Sequence, residues 1–384
     1  MSYSWKQQRE KKAFLALADG TVYPAWSFGA AVDRLGEVVF NTGTPGYEEI
    51  LTDPSYAGQL VTLTAPEIGN TGFNAPDFES GRIHAEGLIV HHYTEPSNWR
   101  SERALAETLQ SAGVPGLAGI DTRALTIRLR NAGTPKGYLC ATGSISHEEG
   151  VRRARAWEGL DGQDYAQKVS VKQPYAFDPD DAQSTTWGIS DAPLPEADIP
   201  IVAFDYGIKF NILRRLRQEG MRVTVVPAKT SAAEVLALKP AGLFLSNGPA
   251  DPAALSYAIE NIRALVGKVP MMGICLGHQL LGWALGGRTR RLKFGHHGCN
   301  HPVQELASGK VEITSQNHNF MVDMDSLDRA SVEVTHINLN DNTVEGMRHR
   351  REPVFSVQYH PEAAPGPHDS RYLFNRFKKL ILSA

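Results

Sequence analysis

Cysteine, long apolar runs and net charge are all scarce in this chain of 384 residues. Only three cysteines occur, Cys140, Cys275 and Cys299, and such an odd, sparse set cannot form a disulfide framework. Scarce cysteine is typical of proteins from a reducing compartment, so we expect a cytoplasmic location. The 39 basic and 42 acidic residues leave a formal charge of -3. That balance argues against binding nucleic acid or a membrane surface through bulk charge.

The chain also lacks the marks of a membrane or exported protein. No apolar run approaches the roughly 20 residues that span a bilayer, so we expect no membrane segment. The polar N-terminal residues have no apolar core before a cleavage site, and we expect no secretory signal. Hydrophobic residues make up 42% of the chain, which is ordinary for a globular protein.

A proline-rich, acidic stretch divides the sequence into two halves. Residues 170–200 hold five prolines and no sustained periodicity, and such composition is typical of linkers. We place the boundary near residues 185–197, which gives domains 1–190 and 191–384.

The two halves predict different domains of an α/β protein. In the second half, apolar strands alternate with helical patterns, which predicts a mostly parallel sheet with helices on both faces. The first half has a hairpin signal at Asp19-Gly20 and further strand and helix patterns, which predict a mixed α/β domain.

The sharpest chemical signal is the sequence GICLG at residues 273–277. An apolar strand ends there and a helix starts at once, as in the nucleophile elbow of hydrolases, with Cys275 in place of serine. A helix N-terminus favours a thiolate, and the amide of Leu276 could donate to an oxyanion. The alternative is a small buried core cysteine, which most free cysteines are.

A cysteine nucleophile needs a base, and the base needs a group that orients it. His360 ends the apolar stretch PVFSVQYH, and the carboxyl ends of strands are where sites gather in open α/β sheets. Glu362 lies two residues on, so in extended chain it points the same way and could bond the imidazole. An ordinary strand-end histidine is the alternative. The rigid loop 246–252 could aim backbone amides at an oxyanion, or be a plain connection.

Together these residues resemble the triad-type, or class I, glutamine amidotransferases. GICLGHQLL, the NGPxDP loop and the later HPE carry that resemblance. A closer resemblance is to the small-chain family of carbamoyl-phosphate synthetases, and it covers nearly the whole chain from about residue 12. It rests on five further segments, which are 36–56, 61–72, 119–126, 293–303 and 364–369.

The resemblance implies a role for each matching residue. Cys275 would attack the side-chain amide of glutamine, His360 would transfer protons, and Glu362 would hold His360 in the useful tautomer. Gly248 and Leu276 match the oxyanion-hole positions. The residues that match or border the glutamine-binding positions are Ser55, Gly248, Ala250, Leu276, Gln279, Asn317, Asn319 and Phe320. Since Ser55 lies in the first half, we expect the pocket near the domain junction.

Three positions depart from the family's pattern. Ala250 and Asn319 stand where glycine is expected, and both border the predicted pocket. Asparagine tolerates left-handed backbone better than most residues, so Asn319 is the milder change. Tyr359 also stands where glycine is common. Because the triad is intact, we expect activity to survive.

The sequence offers no nucleotide site and only a weak metal candidate. His296, His297, Cys299 and His301 are clustered, but their spacing fits none of the known zinc signatures, so we expect no metal. Neither a P-loop nor a G-x-G-x-x-G motif occurs. The resemblance implies that ATP and magnesium belong to a separate large synthetase subunit, to which this chain supplies ammonia. It leaves open higher oligomers of the heterodimer.

We therefore predict the glutamine-hydrolysing subunit of a carbamoyl-phosphate synthetase, serving arginine and pyrimidine synthesis. One rival is a stand-alone hydrolase, or an amidotransferase that feeds another synthase, and the N-terminal segments argue against it. A second rival is a regulatory subunit whose glutaminase site has decayed. Its support is Ala250 and Asn319, and the complete triad argues against it.

Overall fold

The computed structural model describes residues 9–186 and 193–384, and they form two compact units. The first unit ends at Leu160 and also includes Lys293–His297, and the second contains the rest. Part of the predicted boundary, residues 187–192, lies outside the described residues. The first unit ends before that boundary because the following segment packs into the second unit, where Ala166 is fully buried in the core. The division into domains 1–190 and 191–384 stays a prediction.

Seven strands of the first unit close into a barrel. Within residues 9–160, the strands of this unit are β1 (Lys12–Leu17), β2 (Val22–Gly29), β3 (Arg34–Asn41), β4 (Gln59–Leu63), β5 (Glu67–Ile68), β6 (Gly87–Ile89), β7 (His92–Tyr93), β8 (Pro115–Ala118) and β9 (Lys136–Cys140). The barrel order is β1-β2-β8-β6-β4-β3-β9, while β5 and β7 pair separately. The hairpin signal at Asp19-Gly20 does join the antiparallel strands β1 and β2.

Alternation along the barrel strands separates two apolar clusters. On β3, Val38 packs with Leu60 in one cluster, while the next residue, Val39, packs with Val61 in the other. This alternation is expected because successive side chains of a strand point to opposite faces. A Cβ at Gly137 would lie 2.4 Å from the Val38 side chain, so this glycine lets β9 pack closely.

The described residues of the first unit also form four α-helices. They are α1 (Tyr47–Thr52), α2 (Leu105–Ser111), α3 (Thr122–Ala132) and α4 (His147–Ala156). Helix α3 starts where the Asp121 side chain accepts from the backbone N–H of Ala124, and it ends at Gly133, whose φ is 98°. Such capping satisfies amides that a helix start leaves without partners.

A ten-stranded sheet forms the centre of the second unit. Its strands are β10 (Tyr175–Ala176), β11 (Ile199–Asp205), β12 (Met221–Pro227), β13 (Gly242–Leu245), β14 (Met271–Ile274), β15 (Thr289–Glu305), β16 (Val311–Val322), β17 (Val332–Asn338), β18 (Val344–His349) and β19 (Val354–Val357). Strands β12-β11-β13-β14-β19 pair in parallel. Beyond β19, strands β18, β17 and β15 continue the sheet in antiparallel pairs.

Helices cover both faces of the parallel strands, as the alternating pattern predicts. They are α5 (Ala166–Val169), α6 (Ala182–Thr186), α7 (Phe210–Gln218), α8 (Ala232–Ala237), α9 (Ser256–Leu265), α10 (Leu276–Ala284) and α11 (Tyr372–Leu382). Leu243 and Leu245 of β13 face the core shared with α9 and α10, whereas Phe244 faces the core shared with α7 and α11. The parallel strands are therefore buried on both sides. In the part of the chain that the structure describes, no helix is both long and apolar enough to cross a membrane.

Candidate active site

Cys275 lies at the junction of strand β14 and helix α10, with a strained backbone. Its φ is 53° and its ψ is -106°, and the helix begins at the next residue. A non-glycine residue with positive φ costs free energy and often marks a functional site. The turn needs glycine beside it, because a Cβ at Gly277 would lie 2.1 Å from the Leu245 carbonyl oxygen. The sharp turn thus places the thiol at the carboxyl edge of the parallel strands, at the head of a helix.

His360 and Glu362 form a buried hydrogen-bonded pair. His360 Nδ1 lies 2.7 Å from Glu362 Oε1, and both side chains are almost completely buried. Burial alone would lower the pKa of His360, but the Glu362 carboxylate and the Cys275 side chain together raise it to about 10. His360 is therefore an imidazolium at neutral pH, and it donates its Nδ1 proton to Glu362.

Lys209 is a partner of this pair that the sequence analysis missed. Its Nζ donates to Glu362 Oε1 at 3.0 Å and to the carbonyl oxygens of Ala363 and Ala364 at 2.7 and 2.9 Å. Burial alone would raise the pKa of Glu362, but Lys209 and then His360 hold it at about 2. The only signal in the sequence is a lysine after the apolar strand β11, which does not reveal a partner so distant along the chain.

The thiol of Cys275 faces the strand that carries several predicted pocket residues. Its Sγ donates to the backbone oxygen of Asn317 at 3.6 Å, and His360 Nε2 has no hydrogen-bond partner within the described residues. The thiol thus lies near both the His360 ring, whose pKa it helps to raise, and the backbone of β16. Such a nucleophile beside a base with an oriented tautomer is suited to acyl transfer.

The predicted oxyanion residues pack against each other. A Cβ at Gly248 would lie 1.9 Å from the Tyr206 carbonyl oxygen and 3.2 Å from the Leu276 side chain. Only glycine fits there without moving the backbone. Leu276 follows Cys275 at the start of α10, so both predicted donors lie beside the thiol-bearing turn.

The structure brings some of the predicted glutamine-binding residues together. Gln279 Nε2 donates to the Phe320 carbonyl oxygen at 2.8 Å, which joins helix α10 to strand β16. Ala250 and Asn319 are half-buried, in the loop after β13 and in β16 respectively. Ser55 is buried in a 3-10 turn of the first unit, where its backbone N–H donates to Asp53. A pocket near the domain junction stays a prediction.

Two other groups singled out by the sequence have defined places in the chain. His296 and His297 belong to the first compact unit, whereas Cys299 and His301 belong to the second. The absence of a metal there stays a prediction. Tyr359 is fully buried, and its ring lies edge-on to His336 with centroids 5.9 Å apart.

Comparison with known proteins defines first the class and then the family. Residues 202–380, which contain the triad, match the family described as "Glutamine amidotransferase class-I", and residues 15–139 match "Carbamoyl-phosphate synthase small chain, CPSase domain". The chain is 51% identical over 374 residues to the carbamoyl phosphate synthase small chain of Akkermansia muciniphila, covering 97% of this chain and 98% of the relative. It is 52% identical to that of Syntrophotalea carbinolica, covering 96% and 98%. The chain belongs to the carbamoyl phosphate synthase small-chain family and is the amidotransferase subunit of that synthase.

Proposed function

We propose that this chain hydrolyses glutamine through a thioester on Cys275 and supplies the ammonia to a large ATP-dependent chain. The observation that carries the proposal is the Cys275 turn beside the His360–Glu362 pair, whose Nδ1–Oε1 distance is 2.7 Å. A thiolate and an imidazolium side by side form an activated nucleophile with its own proton source.

The proposed reaction has two halves. The Cys275 thiolate attacks the side-chain carbonyl carbon of glutamine, and the negative charge that develops on oxygen is stabilised by the backbone N–H groups of Gly248 and Leu276. The intermediate collapses as the C–N bond breaks, and the His360 imidazolium gives its Nε2 proton to the leaving ammonia. Neutral His360 then takes a proton from water, the hydroxide attacks the thioester, and glutamate and the thiolate are released.

Glu362 and Lys209 have supporting roles in this proposal. Glu362 accepts the Nδ1 proton of His360, so that Nε2 faces the reaction in both halves. Lys209 keeps the Glu362 carboxylate ionised. Gln279 lies on helix α10, and Asn317 and Phe320 lie on the neighbouring strand β16. These three residues would hold the amino and carboxylate ends of the substrate. Ala250, Asn319 and Ser55 remain proposed pocket residues.

We place the ATP and magnesium chemistry in the large chain, which is the proposed partner, because this sequence lacks a P-loop motif. No metal or other cofactor is proposed for this chain. The reaction would serve arginine and pyrimidine synthesis. A cytoplasmic location stays a prediction, supported by the scarcity of cysteine.

Replacement of Cys275 with serine tests the proposal in the complex with the large chain. We expect glutamine hydrolysis and glutamine-dependent carbamoyl phosphate synthesis to be lost, while synthesis from free ammonia continues. Undiminished glutamine hydrolysis by Cys275→Ser would overturn the assignment of Cys275 as the nucleophile. A wild-type chain that hydrolyses no glutamine, with or without its partner, would favour a subunit whose glutaminase site has decayed.

A further inference from the structure

A chain of buried polar side chains runs from Glu345 to the strand segment that carries Asn317 and Phe320. Glu345 lies on β18 and is completely buried. Its Oε2 accepts a hydrogen bond from Gln316 Nε2 at 3.0 Å, and its Oε1 accepts one from Asn338 Nδ2 at 2.9 Å. Burial of a carboxylate is costly unless it is paired and hydrogen-bonded. A positive charge nearby would therefore stabilise the Glu345 carboxylate in addition to these hydrogen bonds.

The hydrogen bonds place that charge on His318. An ionised carboxylate only accepts, so the amide nitrogen of Gln316 faces Glu345 and its Oε1 faces His318. His318 Nε2 lies 3.0 Å from this Oε1, and its Nδ1 lies 2.7 Å from the Phe320 carbonyl oxygen. Both ring nitrogens thus face acceptors and both donate, which makes His318 an imidazolium. One of its nitrogens lies within 4.8 Å of a Glu345 oxygen, close enough for the charges to attract.

The Phe320 carbonyl also connects these hydrogen-bonded side chains to helix α10, which begins directly after Cys275. The Phe320 oxygen accepts from His318 and also from Gln279 Nε2 at 2.8 Å. Gln279 Nε2 donates its other hydrogen to Gln358 Oε1 at 3.0 Å. Both hydrogens of this amide are used, so the Gln279 oxygen is the end that can face a bound molecule. The backbone of β16 beside Cys275 is held from two sides.

We propose that Glu345 is a positioning residue for glutamine binding, acting through Gln316 and His318 on the Phe320 carbonyl and Gln279. The inference rests on the proposed function, because it assumes that this segment holds glutamine. The side-chain oxygens of Glu345 accept from Gln316 and Asn338, and its backbone oxygen accepts from the N–H of Gln358. Loss of its charge should therefore weaken substrate binding and leave the chemical step nearly intact.

The test is Glu345→Gln, assayed for glutamine hydrolysis in the full chain with its large-chain partner. Gln316 and Asn338 both present an amide NH2 to residue 345. The introduced glutamine has only one acceptor oxygen, so it accepts from one of them and turns its own NH2 group towards the other. We expect the KM for glutamine to rise about tenfold to hundredfold, the range for a lost hydrogen bond to a charged group, with kcat little changed. An unchanged KM in a variant that unfolds cooperatively would overturn the proposal.

Glu312→Gln is the matched control. Glu312 is as deeply buried as Glu345 and lies on β16, but its Oε1 accepts from Lys310 Nζ at 3.1 Å, outside the chain that leads to Phe320. We expect its KM for glutamine to stay at the wild-type value. A rise equal to that of Glu345→Gln would show that any buried carboxylate of this sheet has the same effect, and would overturn the specific role.

A double variant keeps the proposal testable if Glu345→Gln does not fold. In Gln316→Glu combined with Glu345→Gln, the carboxylate and the amide exchange places. The carboxylate now at position 316 accepts from the new amide and directly from His318. The bonds to residue 345 and to His318 are made again, while the bond from Gln316 Nε2 to Thr314 Oγ1 is lost. We therefore expect folding and a KM much closer to the wild-type value than that of Glu345→Gln. A folded double variant whose KM stays high contradicts the proposal.

Nitrogen NMR of the histidines in the full chain gives a readout that does not depend on activity. We expect two protonated ring nitrogens at His318 in the wild type and one in Glu345→Gln, with the signal assigned from a His318→Gln spectrum. Equal protonation in both proteins would overturn the network. If the wild type shows the network but hydrolyses no glutamine, the proposed function fails and the network stands.

Discussion

Cys140 and Cys275 are equally buried, yet their surroundings are opposite. Cys140 ends strand β9, and its Sγ lies 3.7 Å from a carboxylate oxygen of Asp33. Cys275 has a strained backbone with a positive φ at the head of helix α10, beside the His360 imidazolium. A neighbouring negative charge disfavours a thiolate and a positive one favours it. Burial therefore does not distinguish a core cysteine from a nucleophile, whereas backbone conformation and neighbouring charge do.

The carboxylates beside the two cysteines differ in the same way. Asp33 accepts from uncharged donors, which include the Tyr138 hydroxyl at 2.8 Å and the backbone N–H groups of Ala141 and Thr142 at 2.9 and 3.0 Å. Glu362 accepts from the charged groups of Lys209 and His360. Asp33 therefore fixes the turn after β9, while Glu362 sets the protonation state of a neighbour.

The largest expected effect is a difference in kcat for glutamine hydrolysis between variants of these two carboxylates. In Glu362→Gln the Nδ1 proton of His360 loses its charged acceptor, and we expect kcat for glutamine hydrolysis to fall about 10³- to 10⁴-fold. Asp33→Asn makes the same chemical change in the first unit and should leave kcat unaltered. Steady-state rates of both variants check this, and comparable losses in the two would remove the distinction.

The protonation of His360 provides the second test. Its pKa of about 10 lies above the unfolded value near 6.5, so its stabilising contribution is fully present below pH 6.5 and is lost as the pH rises through 10. Glu362, held at a pKa of about 2, contributes above its ordinary value of 4.5 and loses its effect as the pH falls through 2. Both contributions are complete between about pH 4.5 and 6.5.

In Glu362→Gln we expect the pKa of His360 to fall below 6.5, because burial then outweighs the remaining attraction. An NMR titration of the His360 ring measures this shift. A His360 that titrates near 10 in the variant would mean that Glu362 is not the cause of the raised value.

A smaller difference should appear in thiol reactivity. Because Cys275 lies at the head of a helix and beside His360, a setting that activates a cysteine, it should react with iodoacetamide at least about tenfold faster than Cys140. The two sites are matched for burial, so access does not account for such a ratio. Peptide mapping of timed samples gives the two rates, with Cys275→Ser as the control, and similar rates would contradict the charge argument.

The smallest effect concerns the stability of the first unit. Asp33→Asn keeps one acceptor oxygen for the N–H groups of Ala141 and Thr142, but it turns an NH2 group towards the Tyr138 hydroxyl, which donates to the other carboxylate oxygen. We expect the free energy of unfolding to fall by about 1–3 kcal/mol, the cost of unsatisfied polar groups. Urea unfolding followed by fluorescence measures it, and a stability equal to that of the wild type would show that the Asp33 contacts are replaceable.

Much of the candidate site could be predicted from the sequence, because sites in open α/β sheets gather at the carboxyl ends of the strands. The carboxyl ends of parallel strands meet at one edge, which is why Cys275 after β14 and His360 after β19 could be expected near each other. Glu362 followed from its spacing of two residues. These inferences work because they depend on local chain geometry.

Contacts between distant segments could not be found in this way. Lys209 reaches Glu362 across 153 residues, and Glu345 bonds Gln316 from a different strand. No local pattern records either pairing. The closed barrel of the first unit was also missed, because its strands are short and pair out of sequence order.

Trapping the covalent intermediate tests the central claim most directly. The chain, in complex with its large-chain partner, is quenched with acid during turnover of isotopically labelled glutamine, and its peptides are mapped by mass spectrometry. A glutamyl thioester is predicted on the Cys275 peptide, with Cys140 and Cys299 unlabelled. Rapid hydrolysis without label on Cys275, or with label on another residue, would contradict the assignment of Cys275 as the nucleophile.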